Sequence, residues 1–186
     1  MAPDLRIRPY DPADEARCWE IHERASTSVD AFANPDGVEG GVPTTPEAHA
    51  RESRELAERG VSLVGEVVVD DEGGVDGGDG SRVVAMGALD PLGGVGASED
   101  ETAAEVTRMR VDPDHWRQGH GRAMLAALED EALAAGWTTL VLETLARQTG
   151  ARHLYESKGY AEVDRVQHGE YDVRRYRKEL DTEGSG

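Results

Sequence analysis

The sequence predicts an α/β fold in which one mixed sheet carries helices on its faces. Three observations lead there. Short alternating or valine-rich runs are interleaved with segments whose apolar residues recur at helical spacing, in the order β-α-α-β-β-β-α-β-α-β-β. The run TTLVLET (138–144) is apolar almost throughout, as a strand covered on both faces requires. The 186 residues suffice for a continuous core and suit one domain of ordinary size. Residues 1–180 are expected to form that single domain and 181–186 a short tail.

LRIRPY (5–10) alternates and stops at Pro9, so it reads as a first strand. Pro12 and Asp14 introduce a helix over about residues 13–32, and NPDGVEGGVPTTPEA is a breaker-rich loop. A second helix is expected from Pro46 to Arg59, capped by Thr45 and ended by Gly60. VSLVGEVVVD and SRVVAMGAL are strands. Between them DDEGGVDGGDG (70–80) combines carboxylates with glycines. It lacks the ligand order and terminal Glu of an EF-hand, so a flexible acidic hairpin tip is the better reading than a calcium loop. PLGGVGASEDET is a further loop, leading into the strand AEVTRMRV (104–111). Leu125, Leu128 and Ala132 then mark a helix from Gly121 that Gly136 closes. Ala151, Leu154 and Tyr155 share one face of a shorter helix ending at Gly159. YAEVDRV and EYDVRRYRKEL finish as a hairpin around QHG.

Composition narrows the function classes. No window approaches a membrane span, and the N-terminus lacks the apolar core of a signal peptide. The lone Cys18 has no internal disulfide partner, which fits a reducing cytosol, and a cytoplasmic location is the expectation. Acidic residues number 38 against 20 basic ones, for a net charge of −18. Such a charge repels nucleic acid, and no basic run reverses it. Lysine is confined to Lys158 and Lys178. That pattern resembles proteins of salt-accumulating cells, where molar salt screens self-repulsion to about 3 Å; the alternative is an ordinary acidic cytosolic protein.

One stretch raises a chemical question: VDPDHWRQGHGRAML (111–125) passes from a strand through a glycine turn into a helix. His115 and His120 are five apart and lack the spacing of a helical zinc pair; no Cys/His cluster elsewhere completes a metal site. Gly121 is followed by Arg122-Ala123, so a Walker A loop fails. Met124 stands where a dinucleotide fingerprint needs its third glycine. A general anion site survives, because Gly119 and Gly121 allow close backbone approach to a helix N-terminus, with Arg117 and Arg122 adding charge. Taken alone, the loop fits a plain strand–turn–helix connection equally well.

A wider constellation changes that balance. RMRVDPDHWRQGHGRAML resembles the pyrophosphate-binding segment of the GNAT superfamily, the acetyl-CoA-dependent N-acetyltransferases. In that family a V-x-P-type turn leads to Gln/Arg-x-x-Gly-x-Gly/Ala and a helix. Here Trp116 occupies the Gln/Arg position, while the glycines fall at Gly119 and Gly121. QTGARHLYESKGYAEV resembles the second family signature through Ala151, Leu154-Tyr155 and Gly159-Tyr160, with Gln148 where an Asn is common. Together the two signatures cover roughly residues 105–163.

The resemblance implies a GNAT-like single domain with a central, mostly antiparallel sheet flanked by helices. It also implies acetyl transfer from acetyl-CoA, without metal, to a primary amine on a small molecule or peptide; a homodimer is an open option. Trp116, Arg117, Gln118, Gly119, His120, Gly121, Arg122 and Ala123 would surround the pyrophosphate, joined by Gln148 and Arg152. Backbone groups of Met109, Arg110 and Val111 would meet the amide arm and the reacting carbonyl. An attacking amine has to shed its proton from a pKa of about 10.4, so the reaction needs a nearby carboxylate. Glu105, six residues before Val111, is the first choice; Glu143 and Glu101 follow. The leaving thiol, with a pKa of about 8.5, needs a proton donor, and Tyr155 matches the family tyrosine. His120 and His153 receive no chemistry. Two other readings stand: a catalytically silent acyl-CoA-binding or sensing module of the same fold, and a nucleotide-binding protein that uses the glycine turn alone.

Overall fold

The computed structural model describes residues 5–28, 43–68, 80–92, 102–169 and 171–181. The chain runs β1 (Arg6–Pro9), α1 (Glu15–Ser28), α2 (Pro46–Arg59), β2 (Val61–Val68), β3 (Ser81–Pro91), β4 (Ala103–Val111), α3 (His120–Ala134), β5 (Thr139–Leu145), α4 (Thr149–Ser157), β6 (Ala161–His168) and β7 (Tyr171–Glu179). Short 3-10 turns at Pro12–Asp14 and Pro113–His115 lead out of β1 and β4. This is the element order that the hydrophobic pattern predicts. Most of the expected acidic tip at 70–80, most of the loop before β4, the end of the first predicted helix, and the tail beyond residue 181 lie outside the described residues.

Local signals explain the boundaries. The Thr45 hydroxyl accepts from the Ala48 N–H at the start of α2, and Pro46 occupies the first turn, where its missing donor does no harm. Gly136 and Gly159, both at φ +87°, turn the chain after α3 and α4 in a conformation that side chains resist. Gly60 is needed for another reason: a Cβ there would lie 2.1 Å from the Leu89 carbonyl oxygen of β3.

The strands form one seven-stranded sheet in the order β1-β2-β3-β4-β5-β7-β6. Every neighbouring pair is antiparallel except β4–β5, which is parallel. Strand alternation divides the core. Leu63, Ala85, Leu89, Val106 and Leu142 pack with Met124, Leu125 and Leu128 of α3 and Tyr155 of α4. Val64, Val83 and Met86 instead meet Cys18 and Ile21 of α1. Helices therefore cover both faces, and β3 is buried without a break from Val83 to Leu89. Among the described residues, no helix is long and apolar enough to cross a membrane.

The feature that positions the site is an opening in the sheet. β4 and β5 pair only from Ala103↔Thr139 to Glu105↔Val141. Beyond that rung β4 stays with β3 as far as Ala85↔Val111, and β5 stays with β7 as far as Leu145↔Val173. A bulge accounts for the divergence: the register slips between Met86 and Ala88, setting Arg108 and Met109 against Gly87, with Arg108 at φ +57°. Bulges of this kind bend a strand and increase its twist. Gly87 also lets α3 approach, since a Cβ there would lie 2.9 Å from both Leu128 Cδ1 and Met109 Sδ.

Candidate active site

Beyond the opening, the end of β4 forms the floor of a cleft of about 680 Å³. That is within the size range of cofactor sites. Met109, Arg110 and Val111 line it from β4, the start of α3 closes one end, and the first two turns of α4 form the opposite wall. Ala25 and Ser26 at the end of α1 complete it.

At the mouth, the turn into α3 is built for an anion. Arg117 (φ +61°) and Gly119 (φ +87°) take left-handed conformations that fold the chain tightly into the helix. No side chain caps α3, so the N–H groups of its first turn have neither a cap nor an intrahelical acceptor. Those donors carry the positive end of the helix dipole. Trp116, Arg117, Gly119, His120, Gly121 and Arg122 all line the cleft. Gly121 further permits contact with α4, because a Cβ there would sit 3.4 Å from Leu154 Cδ2.

Trp116, the departure from the family pattern, has a defined task. Its indole N–H donates to the Val111 carbonyl at 2.7 Å, closing the loop between β4 and α3. Below that loop Asp112 is buried and accepts from Arg17 and, at 2.6 Å, from Arg24. Burial alone would raise the Asp112 pKa; the Asp114 N–H and the two guanidiniums outweigh it and hold the carboxyl below its ordinary range. The segment is thus anchored to α1 through a buried carboxylate.

Tyr155 lines the cleft from α4 and is 7 % exposed, its ring packed edge-on against Tyr160. Burial pushes its phenol up to about 12, with Arg110 acting in the opposite direction. A phenol so placed stays protonated and serves as a donor. Glu105 does not line the cleft. It occupies the last paired rung of β4 and β5, at the vertex where the strands part. Burial, reinforced by Glu143 and Asp90 and opposed by Arg175, raises its carboxyl to about 7. Such a group exchanges a proton near neutrality. Glu143, on the diverging part of β5, is held by Arg175 at 2.5 Å. Glu101 lies outside the described residues.

Three expected cofactor contacts are placed differently. Arg152 turns away from the cleft: its guanidinium donates to Tyr176 Oη at 3.1 Å and the Ala146 carbonyl at 3.2 Å, pinning α4 to β7. One helical position separates it from the cleft-lining Ala151 and His153, so helix periodicity points it elsewhere. The Gln118 amide donates back to the Asp114 carbonyl, and neither Gln118 nor Ala123 lines the cleft. Gln148 does line it, yet its side-chain oxygen accepts from Thr144 Oγ1 and the Leu145 N–H, so it shapes the turn between β5 and α4. Two backbone carbonyls are already engaged as well, Val111 by Trp116 and Met109 by Arg110 Nη1. Sequence reasoning missed Arg147, Ala25 and Ser26. Arg147 lies in the polar turn after β5, a signal that was open to reading, whereas α1 carries no local pattern that places its last turn at the cleft.

Among the described residues no group of three or more His, Cys, Asp or Glu is arranged to hold a metal.

An opened parallel strand pair, an uncapped helix start at its mouth and a buried tyrosine thus surround one cleft of cofactor size. Residues 40–160 match the model of the acetyltransferase (GNAT) family, and the chain belongs to that family. It is 48 % identical over 60 residues to the [ribosomal protein bS18]-alanine N-acetyltransferase of Escherichia coli K12, covering 32 % of this chain and 40 % of that protein. It is 41 % identical over 91 residues to an IAA acetyltransferase of Azospirillum brasilense, covering 48 % and 53 %. The matched stretches thus span about half the length of these curated relatives or less. Among solved structures, yncA from Salmonella typhimurium with its cofactor acetyl-CoA superposes with a TM-score of 0.63 at 22 % identity, over 98 % of this chain and 97 % of that one.

Proposed function

We propose that this chain transfers an acetyl group from acetyl-CoA to a primary amine by direct attack, with Glu105 as base and Tyr155 as acid. The observation that carries the reading is the sheet opening itself. It joins, in one cleft, an anion-binding helix start, the strand residues Met109 to Val111 and a buried phenol donor. The residues present fit acetyl-CoA. The first-turn N–H groups of α3, with Arg117 and Arg122, suit its pyrophosphate, and the apolar flank of Met109, Val111, Ala151 and Leu154 suits its pantetheine arm. Acetyl-CoA supplies, when bound, a thioester carbonyl for attack and a thiol as leaving group.

The protein's own groups then move two protons. Glu105, at the vertex, accepts the proton of the incoming ammonium directly or through water; its carboxyl near 7 is half ionised at neutral pH and so able to take it. Tyr155 gives its phenolic proton to the departing sulfur; the second amine proton, shed as the amide forms, restores the phenol through water, and Glu105 releases the first proton to solvent. Burial favours both roles, raising Glu105 into the working range and keeping Tyr155 neutral. Glu143 is the alternative base; its ion pair with Arg175 is the argument against it.

Calorimetric titration of acetyl-CoA beside NAD and ATP, with an acetyl-CoA consumption screen against amino acids, polyamines, aminoglycosides and peptide N-termini at low and molar salt, tests this reading. Selective acetyl-CoA binding with amine-dependent consumption is expected. Binding without consumption by any amine would favour a silent acyl-CoA sensor, and binding of NAD or ATP alone would favour a nucleotide site.

A further inference from the structure

Arg108 and Arg110 of β4 reach toward α1 and α2, where three rings are packed together. His22 and His49 have centroids 5.2 Å apart, and Trp19 stacks on His22 at 5.3 Å. Both histidines are almost sealed from solvent. Burial, added to by Arg110 and Arg108, holds His22 down at about 4 and His49 at about 3, so both stay neutral. They add no charge to the group.

The arginines are unequally balanced. Arg108 Nη2 is paired with Glu52 of α2, and its charge is offset there. Arg110 donates to the Met109 carbonyl at 2.8 Å and, among the described residues, pairs with no carboxylate. It nevertheless lines the cleft, and burial lowers its pKa, the mark of a charge held out of water. Ser26 lines the same cleft, and its hydroxyl is buried without a partner among the described residues. A half-buried cation with no carboxylate beside it and a buried hydroxyl with no partner, among the described residues, both carry a cost that a ligand relieves.

We propose that Arg110, together with the Ser26 hydroxyl, is a subsite for one carboxylate, and that the acceptor is therefore a free amino acid. The inference rests on the acetyl-transfer reading and adds the substrate class. One net positive charge matches one carboxylate, and a guanidinium presents the fork that a carboxylate fits. The phosphates of acetyl-CoA have their own donors at the start of α3, so they do not compete for Arg110. Arg110 is close enough to Tyr155 to influence its phenol. A carboxylate seated there holds the α-amine, one carbon away, in the same cleft as Tyr155. A peptide N-terminus has an amide at that position and leaves Arg110 unpaired.

The test compares kcat/KM for the common free amino acids with their α-carboxamides, by release of CoA thiol, in the full chain and in Arg110→Gln, with acetyl-CoA affinity measured separately by calorimetry. The best free amino acid is expected to exceed its amide by about tenfold to a hundredfold, the effect of one charge-assisted hydrogen-bonding partner. Arg110→Gln is expected to bring that ratio close to one, and Arg110→Lys to restore part of it. Acetyl-CoA binding with equal use of acids and amides, or with turnover of other amines only, overturns the subsite and leaves acetyl transfer standing. Failure of acetyl-CoA to bind overturns both. The comparison in the unmodified chain needs no variant, so a misfolded Arg110→Gln does not decide the outcome.

Discussion

Replacing Glu105 with Gln separates the proposed base from a structural carboxylate, because stability and rate should move in opposite directions. Burial with Glu143 and Asp90 nearby raises the Glu105 carboxyl from 4.5 to about 7. A difference of that size corresponds to about 3 kcal/mol between the two protonation states. The folded carboxyl holds its proton more tightly than the unfolded one. Its contribution is therefore fully favourable below about pH 4.5 and is lost as pH rises through about 7. Glutamine stays neutral throughout, so Glu105→Gln should add about 1–3 kcal/mol of stability at alkaline pH and little in acid; the lower end allows for partial solvation of this side chain. Urea unfolding across the pH range at fixed salt measures the difference. The rate should instead fall by about a hundredfold or more at neutral pH. The wild-type profile should rise through a limb near 7, and the variant should recover partly only toward the pKa of the amine. A stability difference that does not change with pH would refute the account of Glu105, as would superimposable pH–rate profiles.

Other perturbations probe other parts of the molecule. Asp112→Ala takes from the buried Arg17 one of its two carboxylates, leaving Glu20 at 2.6 Å, and should destabilise the fold by about 2–3 kcal/mol, read as a lower urea midpoint. Because the Asp112 pKa is depressed, the wild-type advantage should shrink as pH falls toward the folded pKa of that carboxyl. Gly60→Ala forces a Cβ to within 2.1 Å of the Leu89 carbonyl, so α2 or β3 must shift; a loss of about 1–3 kcal/mol in thermal or chemical unfolding is expected. The net charge of −18 predicts that Tm climbs between about 0.1 M and 1 M KCl, as the Debye length contracts from about 10 Å to 3 Å. A flat or falling Tm would dispose of the halophile-like reading of the composition.

Much of the architecture was legible because its signals are local. Thr45, Pro46 and Gly60 bracket α2 by capping chemistry, and the period of Leu125, Leu128 and Ala132 marks the buried face of α3. The anion-binding turn was likewise visible in Gly119 and Gly121. The opening between β4 and β5 was not, since it follows from a bulge opposite Gly87, and a register slip leaves no mark in alternation. Side-chain direction was the second loss. Arg152 looked like one more cation near an anion, but its position on α4 sends it to Tyr176, and Trp116 looked like a lost contact until its bond to Val111 was seen. Arg110 illustrates the converse. In the sequence it is one arginine among several near the cofactor segment, and only three-dimensional neighbours reveal that it lacks a carboxylate partner among the described residues.

The central claim, that this cleft carries out acetyl transfer and does not merely bind acetyl-CoA, is tested most directly by amine-dependent release of CoA thiol from wild type and Tyr155→Phe, with acetyl-CoA Kd measured in parallel. The account predicts turnover that saturates with amine in the wild type, a loss of about a hundredfold or more in kcat for the variant, and a far smaller change in Kd. Equal turnover in the two proteins, or tight acetyl-CoA binding with no amine-dependent release in either, would contradict it.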